Sequence, residues 1–133
     1  MSSIADGGPL VLVVEDEESF VDALTLGLSR EGFRVDVATD GVEALARFEA
    51  APPDVVLLDV MLPGVSGLDV CRQIKSDDRW SHVRVVQTSA TFSTPHDQLH
   101  GLESGGADIY LAEPVSRGTL LSIVRRLADL TPA

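Results

Sequence analysis

Residues 53–67 read PDVVLLDVMLPGVSG and combine an apolar run, an aspartate and a turn. An unbroken run of branched apolar residues between prolines and a glycine turn predicts a strand that is buried on both faces. The run ends at Asp59, and Pro63, Gly64 and Gly67 supply the turn that precedes a helix. Because open parallel sheets bind ligands at the carboxyl ends of their strands, the pattern places Asp59 where chemistry is expected.

The rest of the chain alternates strand and helix patterns. Further strands are predicted at 9–14, 33–38, 83–89 and 107–111, and helices at 19–30, 41–51, 67–75, 95–103 and from Ser116 onward. This alternation predicts an α/β domain with a five-stranded parallel sheet, doubly wound as (βα)5. We expect a disordered leader at 1–8, a single domain at 9–130 and a short tail at 131–133.

Each predicted helix carries an apolar stripe that should cover the sheet. The stripes are Phe20, Ala23, Leu24, Leu26, Gly27 and Leu28; Val42, Leu45, Ala46 and Phe48; Leu68, Val70, Cys71 and Ile74; and Leu120, Leu121, Ile123, Val124 and Leu127. We expect Trp80 to cover the edge of the core. Cys71 is the single cysteine, so we expect a buried or half-buried thiol and a reducing compartment.

Composition limits the classes of partner. The 133 residues carry a formal net charge of −11, which argues against sequence-independent binding to nucleic acid and suits a cation or a basic protein. No apolar stretch is long enough to span a bilayer, and the first residues lack the pattern of a signal peptide. The sequence therefore predicts a cytoplasmic protein.

Acidic residues follow the first predicted strand directly. Glu15 and Asp16 should meet Asp59 at the same edge of the sheet, although a run of acids is also typical of a solvated helix start. Converging carboxylates form a hard-oxygen site that suits Mg²⁺. With charge neutralised by a cation, Asp59 can attack a phosphodonor and become an aspartyl phosphate. Ser89, at the end of the fourth predicted strand, can then bind a phosphoryl oxygen and draw a loop inward.

Two of these segments carry a family resemblance. VVEDE at 13–17 is similar to the acidic pair, and LLDVMLPGVSG at 57–67 to the phosphoacceptor signature, of bacterial response-regulator receiver domains. The resemblance implies the flavodoxin-like receiver fold and phosphorylation of Asp59 by a histidine kinase. It also implies Mg²⁺ held by Asp16, Asp59 and the Met61 backbone carbonyl, with Glu15 acting largely through water.

The resemblance extends to a switch and to partners. Ser89 matches the family's switch hydroxyl and Tyr110 its switch aromatic, although Tyr110 also fits a plain edge-strand aromatic. A receiver domain catalyses at most its own phosphotransfer and dephosphorylation. Its implied partners are a sensor histidine kinase or phosphotransfer protein, and a second copy bound through the face of the fourth helix, fifth strand and last helix.

Glu113 departs from the family pattern, which has a lysine before the proline at this position. The reversal turns an attraction for the phosphoryl group into repulsion. A pair of unit charges near 4 Å apart interacts with about 4 kcal/mol at an effective dielectric of 20. Either Asp59 is still phosphorylated with altered switching, or the domain binds partners without phosphorylation. Arg84 or His96 are options for the missing positive charge. The simpler interpretation is that the Glu113 side chain points to solvent. The Glu113–Pro114 bond is a candidate cis peptide.

Other classes fit less well. A hydrolase of the haloacid-dehalogenase type needs a second aspartate where this chain has Met61. A dinucleotide-binding enzyme needs a glycine-rich loop after the first strand, where this chain has Glu15 and Asp16. The serious rival is a pseudo-receiver that keeps the fold and binds a protein without phosphorylation, and Glu113 is the feature that favours it.

Overall fold

A computed structural model describes residues 8–62, 64–89, 106–112 and 115–129. The strands are β1 (Leu10–Val14), β2 (Arg34–Ala38), β3 (Val55–Asp59), β4 (Arg84–Ser89) and β5 (Ile109–Ala112). The helices are α1 (Glu18–Arg30), α2 (Gly41–Ala50), α3 (Gly67–Ser76) and α4 (Arg117–Asp129), with a short 3-10 helix at Asp78–Trp80. The predicted helix at 95–103, the tail at 131–133 and all of the leader except Gly8 lie outside the described residues.

The strands form one parallel sheet in the order β2-β1-β3-β4-β5, which confirms the predicted five-stranded topology. β1 and β3 are neighbours, and Val14 pairs with Leu58 at the end of their shared register. The next residues along each strand are Glu15 and Asp59. The register therefore brings these two acids side by side at the carboxyl edge of the sheet.

Side chains of the central strands alternate between two buried clusters. On one face, Leu12 and Leu58 pack with residues of α2 and α3. On the other face, Val13 and Leu57 pack with residues of α1 and α4. Burying each such Val or Leu side chain contributes about 1.5–3 kcal/mol, so the helices are held to both faces and the doubly wound architecture is confirmed.

The predicted apolar stripe of α1 was wrong at two positions. The helix buries Val21, Leu24 and Leu28, whereas Phe20 is 37% exposed and Leu26 is 52% exposed. At 3.6 residues per turn, Leu26 faces away from the line through the buried residues. The helix also begins one residue earlier than predicted, at Glu18, because the Glu17 carboxylate accepts a hydrogen bond of 2.8 Å from the Phe20 N–H.

The predicted stripe of α2 was wrong in a different way. Val42 is 63% exposed and Ala46 is also exposed, whereas the buried face consists of Gly41, Ala44 and Phe48. The first buried residue is a glycine because the helix start lies close to the loop before α3. A Cβ atom on Gly41 would lie 2.5 Å from the carbonyl oxygen of Val65.

Other sequence predictions about the helices and the core are confirmed. Trp80 is buried, with its ring edge-on to Phe48 at 5.2 Å between centroids. Cys71 is buried, and burial raises the pKa of its thiol to about 12. Ser116 caps α4, since its hydroxyl accepts a hydrogen bond of 3.1 Å from the Thr119 N–H. Within the described ranges, no helix combines the length and apolar character that crossing a membrane requires.

Gln87 is a fully buried polar residue in β4. It lies in register between Leu58 and Tyr110, and within the described part of the chain neither of its amide atoms has a hydrogen-bond partner. A buried amide without a partner lowers stability. We therefore expect Gln87→Met, which nearly conserves volume, to raise the free energy of unfolding by about 1 kcal/mol in urea denaturation.

The control for this substitution is Gln73→Met, at an exposed position of α3. It should change the free energy of unfolding by less than about 0.5 kcal/mol. A loss of stability in Gln87→Met would contradict the expectation, because it would show that the amide is satisfied in solution.

Candidate functional site

Carboxylates meet at the carboxyl edge of β1 and β3. Asp59 is the last residue of β3 and is partly buried, and its Oδ1 accepts a hydrogen bond of 2.9 Å from the Met61 N–H. The Glu15 and Asp59 carboxyl groups are close enough to share a hydrogen bond, and Glu15 Oε2 accepts one of 3.2 Å from the Glu17 N–H. Asp16 is exposed and close enough for its charge to act on both carboxyls. The structure therefore brings together the three acids that the sequence singled out.

Burial and neighbouring negative charge raise the pKa values of Glu15 and Asp59. Burial, and next the negative charge of Asp59, raise the pKa of Glu15 from 4.5 to about 7. Burial also raises the pKa of Asp59, although the Met61 N–H and the hydrogen bond from Glu15 oppose this effect. Near neutral pH the Glu15 carboxyl therefore retains a proton part of the time, because burial and the Asp59 charge disfavour its ionised form.

A small cavity of about 20 Å³ lies beneath the acids. Glu15, Asp59 and Thr88 contribute to its lining, together with apolar side chains that include Leu120 of α4. Thr88 is opposite Asp59 in the register, and its carbonyl accepts a hydrogen bond of 2.9 Å from the Val60 N–H. The sequence interpretation missed Thr88, although its position directly before Ser89 at the end of a strand was a signal.

The structure describes some of the remaining predicted site residues and not others. Met61 offers its N–H to Asp59, and its residue surface is 63% exposed. Tyr110 is a buried residue of the edge strand β5, in register with Gln87. Ser89 is the last residue of β4, in register with Ala112. Glu113, Pro114 and His96 lie outside the described residues, as does the side chain of Ser89.

The structure excludes Arg84, one of the two options for the missing positive charge. Arg84 is the first residue of β4, and its Nη1 lies 3.8 Å from Asp108 Oδ1. The first residue of a parallel strand lies at the edge opposite the site, and β4 spans about 20 Å at about 3.3 Å per residue. Asp108 also binds Lys75 Nζ at 2.7 Å and the Val85 N–H at 2.7 Å. This cluster ties α3, β4 and the start of β5 together at the far edge.

The donor chemistry at Glu15, Asp16 and Asp59 fits a hard cation. Among the residues that the structure describes, no group of three His, Cys, Asp or Glu side chains is already arranged around a metal position. Mg²⁺ does not require such a group, because it takes one or two direct carboxylates and keeps several waters. The raised pKa values of Glu15 and Asp59 show that added positive charge would be favourable there.

Fold and site together define a doubly wound α/β domain with a carboxylate cluster at the carboxyl edge of its central strands. This chain belongs to the response regulator receiver domain family, whose model matches residues 11–125. Receiver domains are signalling modules rather than enzymes that turn over a separate substrate. The sequence prediction of the family and of its fold is confirmed.

Similar proteins support the assignment. The chain is 48% identical over 115 residues to the sensory transduction protein RegX3 of Mycobacterium tuberculosis, covering 86% of this chain and 48% of that protein. It is 44% identical over 115 residues to the DNA-binding response regulator MtrA of Mycobacterium leprae, covering 86% of this chain and 49% of that protein. The chain thus spans about half the length of these curated relatives.

Solved structures show the same fold. The receiver domain of the Francisella response regulator 1452 superimposes with a TM-score of 0.84 at 28% identity, covering 92% of this chain and 98% of that one. A receiver domain of a histidine kinase from Syntrophus aciditrophicus gives a TM-score of 0.82 at 28% identity, covering 92% of this chain and 91% of that one.

Proposed function

We propose that this receiver domain is phosphorylated on Asp59 by a histidine kinase or a phosphotransfer protein, and that phosphorylation switches partner binding. The observation that carries the proposal is the pairing of Asp59 with Glu15 at the carboxyl edge of the sheet. The Met61 N–H holds Asp59 Oδ1 at 2.9 Å, and Asp16 adds a third acid beside them. A carboxylate held in this way at an open edge is suited to attack an incoming phosphodonor.

The proposed step exchanges one bond to phosphorus for another. A carboxylate oxygen of Asp59 forms a bond to phosphorus while the phosphorus–nitrogen bond of a phosphohistidine breaks. The bonding electron pair leaves with the imidazole nitrogen, which takes a proton from water. With acetyl phosphate as donor, a phosphorus–oxygen bond breaks instead and acetate leaves. Asp59 attacks as the carboxylate, so its hydrogen bond with the protonated Glu15 side chain has to be given up first.

Asp16, Asp59 and the Met61 backbone carbonyl are the proposed ligands of Mg²⁺, with Glu15 acting through water. When bound, the cation neutralises the acids and lowers their repulsion of an anionic phosphodonor. The chain's own residues orient the nucleophile, since the Met61 N–H fixes one carboxylate oxygen.

Ser89 and Tyr110 are the proposed switch residues. Ser89 ends β4 one residue beyond Thr88, which lies opposite Asp59 in the register. Tyr110 is on the neighbouring strand β5. We propose that the Ser89 hydroxyl binds a phosphoryl oxygen and that the Tyr110 ring packs inward when the hydroxyl moves. Glu113 weakens the response, because a negative charge stands where the family has a lysine.

The proposed setting is the cytoplasm, with a sensor histidine kinase or phosphotransfer protein as donor. A second copy bound through the face that includes β5 and α4 is the proposed dimer. The net charge of −11 supports the proposal that this domain does not itself bind nucleic acid.

Intact-mass analysis after incubation with acetyl phosphate and Mg²⁺ tests phosphorylation. We expect a gain of one phosphoryl group by the parent chain and none by Asp59→Asn, because the amide is a poor nucleophile. Asp69→Asn, which changes an exposed acid in the first turn of α3, should gain the group as the parent does. Omitting Mg²⁺ should abolish the gain.

A gain of one phosphoryl group by Asp59→Asn would show that another residue carries the phosphoryl group. Failure of the parent chain to gain a phosphoryl group from either acetyl phosphate or a cognate kinase would contradict the proposal. That result would favour the pseudo-receiver, a module that binds partners without phosphorylation.

A further inference from the structure

Positive charge is distributed unevenly over this domain. The chain has 10 Lys and Arg residues, and all of them fall within the described ranges. In a parallel α/β fold, strands begin and helices end at the edge opposite the site. Residues at that far edge are Arg34 and Arg84 at strand starts, Arg30, Arg47, Lys75 and Arg126 in last helical turns, and Arg79 in the 3-10 helix after α3.

The remaining three Lys and Arg residues lie at different places in the fold. Arg72 binds Asp69 on the surface of α3 at 2.8 Å, and Arg125 near the end of α4 binds Glu31. Arg117 is the first residue of α4, and this helix begins at the carboxyl edge of the sheet. Of the Lys and Arg residues in the described structure, Arg117 is thus the one at the edge that holds Asp59.

Arg117 also breaks the charge pattern of the other helices. α1, α2 and α3 each have an acid in the first turn, as the helix dipole favours, whereas α4 has none and starts with arginine. Arg117 is exposed, and no described residue forms a hydrogen bond or an ion pair with its side chain. A locally unfavourable charge that has no partner among the described residues is a candidate for a functional role.

The next turn of α4 contacts the site. Leu120 lines the small cavity beneath Asp59, together with Glu15 and Thr88. Arg117 precedes Leu120 by one turn, about 4.5 Å along the helix axis in the direction of the carboxyl edge. The packing of Leu120 therefore places the start of α4, and with it Arg117, at the same edge of the sheet as the acids.

We infer that Arg117 binds the phosphoryl group on Asp59 and replaces the cation lost at Glu113. The inference rests on the proposed phosphorylation of Asp59. The phosphorylated site would gather a phosphoryl dianion among several acids, and the sequence offers no lysine at the usual position. A guanidinium group suits this task, since its N–H groups bind two phosphoryl oxygens at once and it stays charged at all relevant pH values.

The test uses beryllofluoride, a non-transferring phosphoryl mimic, with Mg²⁺ affinity measured separately by calorimetry. We expect Arg117→Gln to weaken beryllofluoride binding about tenfold and Arg117→Lys to weaken it less, because a charged hydrogen bond is lost. Mg²⁺ affinity should not fall in Arg117→Gln, because this substitution removes a positive charge that would repel the cation. Arg126→Gln, at the other end of the same helix, should bind both ligands as the parent does.

A second variant makes the test independent of local packing. Arg117→Gln combined with Glu113→Lys should recover beryllofluoride binding, because the cation returns to the family's position. Parent-like beryllofluoride affinity in Arg117→Gln, with Asp59 still phosphorylated, would overturn this inference and leave the proposed function intact. A parent chain that neither binds beryllofluoride nor becomes phosphorylated would overturn both.

Discussion

Replacing Gly67 with alanine is expected to cost about 3 kcal/mol or more in the free energy of unfolding. Gly67 begins α3, and its N–H donates a hydrogen bond of 2.9 Å to the Val60 carbonyl. A Cβ atom there would lie 2.0 Å from the Asp59 carbonyl oxygen and 2.7 Å from Val60 Cα. The obstacles are backbone atoms, so either α3 or the end of β3 must move.

Urea denaturation measures this cost, and phosphorylation by acetyl phosphate measures its effect on the site. Because the displaced atoms belong to Asp59 itself, we expect phosphorylation of the folded variant to slow as well. The matched control is Gly118→Ala in α4, where an added Cβ would meet nothing within 4 Å. That variant should gain about 0.5–1 kcal/mol, since alanine is the better helix former. Equal stability of the two alanine variants would contradict the steric explanation.

The central site was predictable because it depends on strand ends alone. An apolar run that stops at Asp59, and another that stops before Glu15, fix both residues at one edge of a parallel sheet. The register of β1 and β3 then sets them side by side without further information. Periodicity also predicted the strands, since runs buried on both faces leave little ambiguity.

Helix faces and long-range charge placement were less predictable. Val42 looks like a core residue in the sequence but is 63% exposed, because α2 packs through Gly41 and Ala44 instead. That choice depends on how closely the loop at Val65 approaches, which no local pattern encodes. Arg84 and Arg117 are both plausible cations in the sequence. Only the topology shows that they lie at opposite edges.

The acid cluster should make the stability of the metal-free domain fall as pH rises from about 5 to about 8. The pKa of Glu15 is about 7 in the folded chain, against 4.5 for the ordinary side chain. Between these values the folded state binds a proton that the unfolded state has lost, so the free energy of unfolding decreases with pH. The raised pKa of Asp59 acts in the same direction.

The size of this effect follows from the shift and from the exposure of the site. A raised pKa of this size corresponds to about 3 kcal/mol, and solvent screening of a partly exposed carboxyl reduces it to about 1–2 kcal/mol. Urea denaturation at about pH 5 and about pH 8 measures this decrease in the free energy of unfolding. Glu15→Gln should remove most of the decrease, whereas Glu18→Gln, which removes the same charge from an exposed position, should not.

Saturating Mg²⁺ should largely remove the pH dependence. A cation binds the ionised acids, so it stabilises the folded state at pH 8 by mass action and competes with protons at pH 5. Mg²⁺ should therefore raise the free energy of unfolding more at the higher pH. A pH slope that is the same in Glu15→Gln as in the parent, or equal stabilisation by Mg²⁺ at both pH values, would contradict this account. Either result would mean that Glu15 and Asp59 do not share a proton in the folded domain.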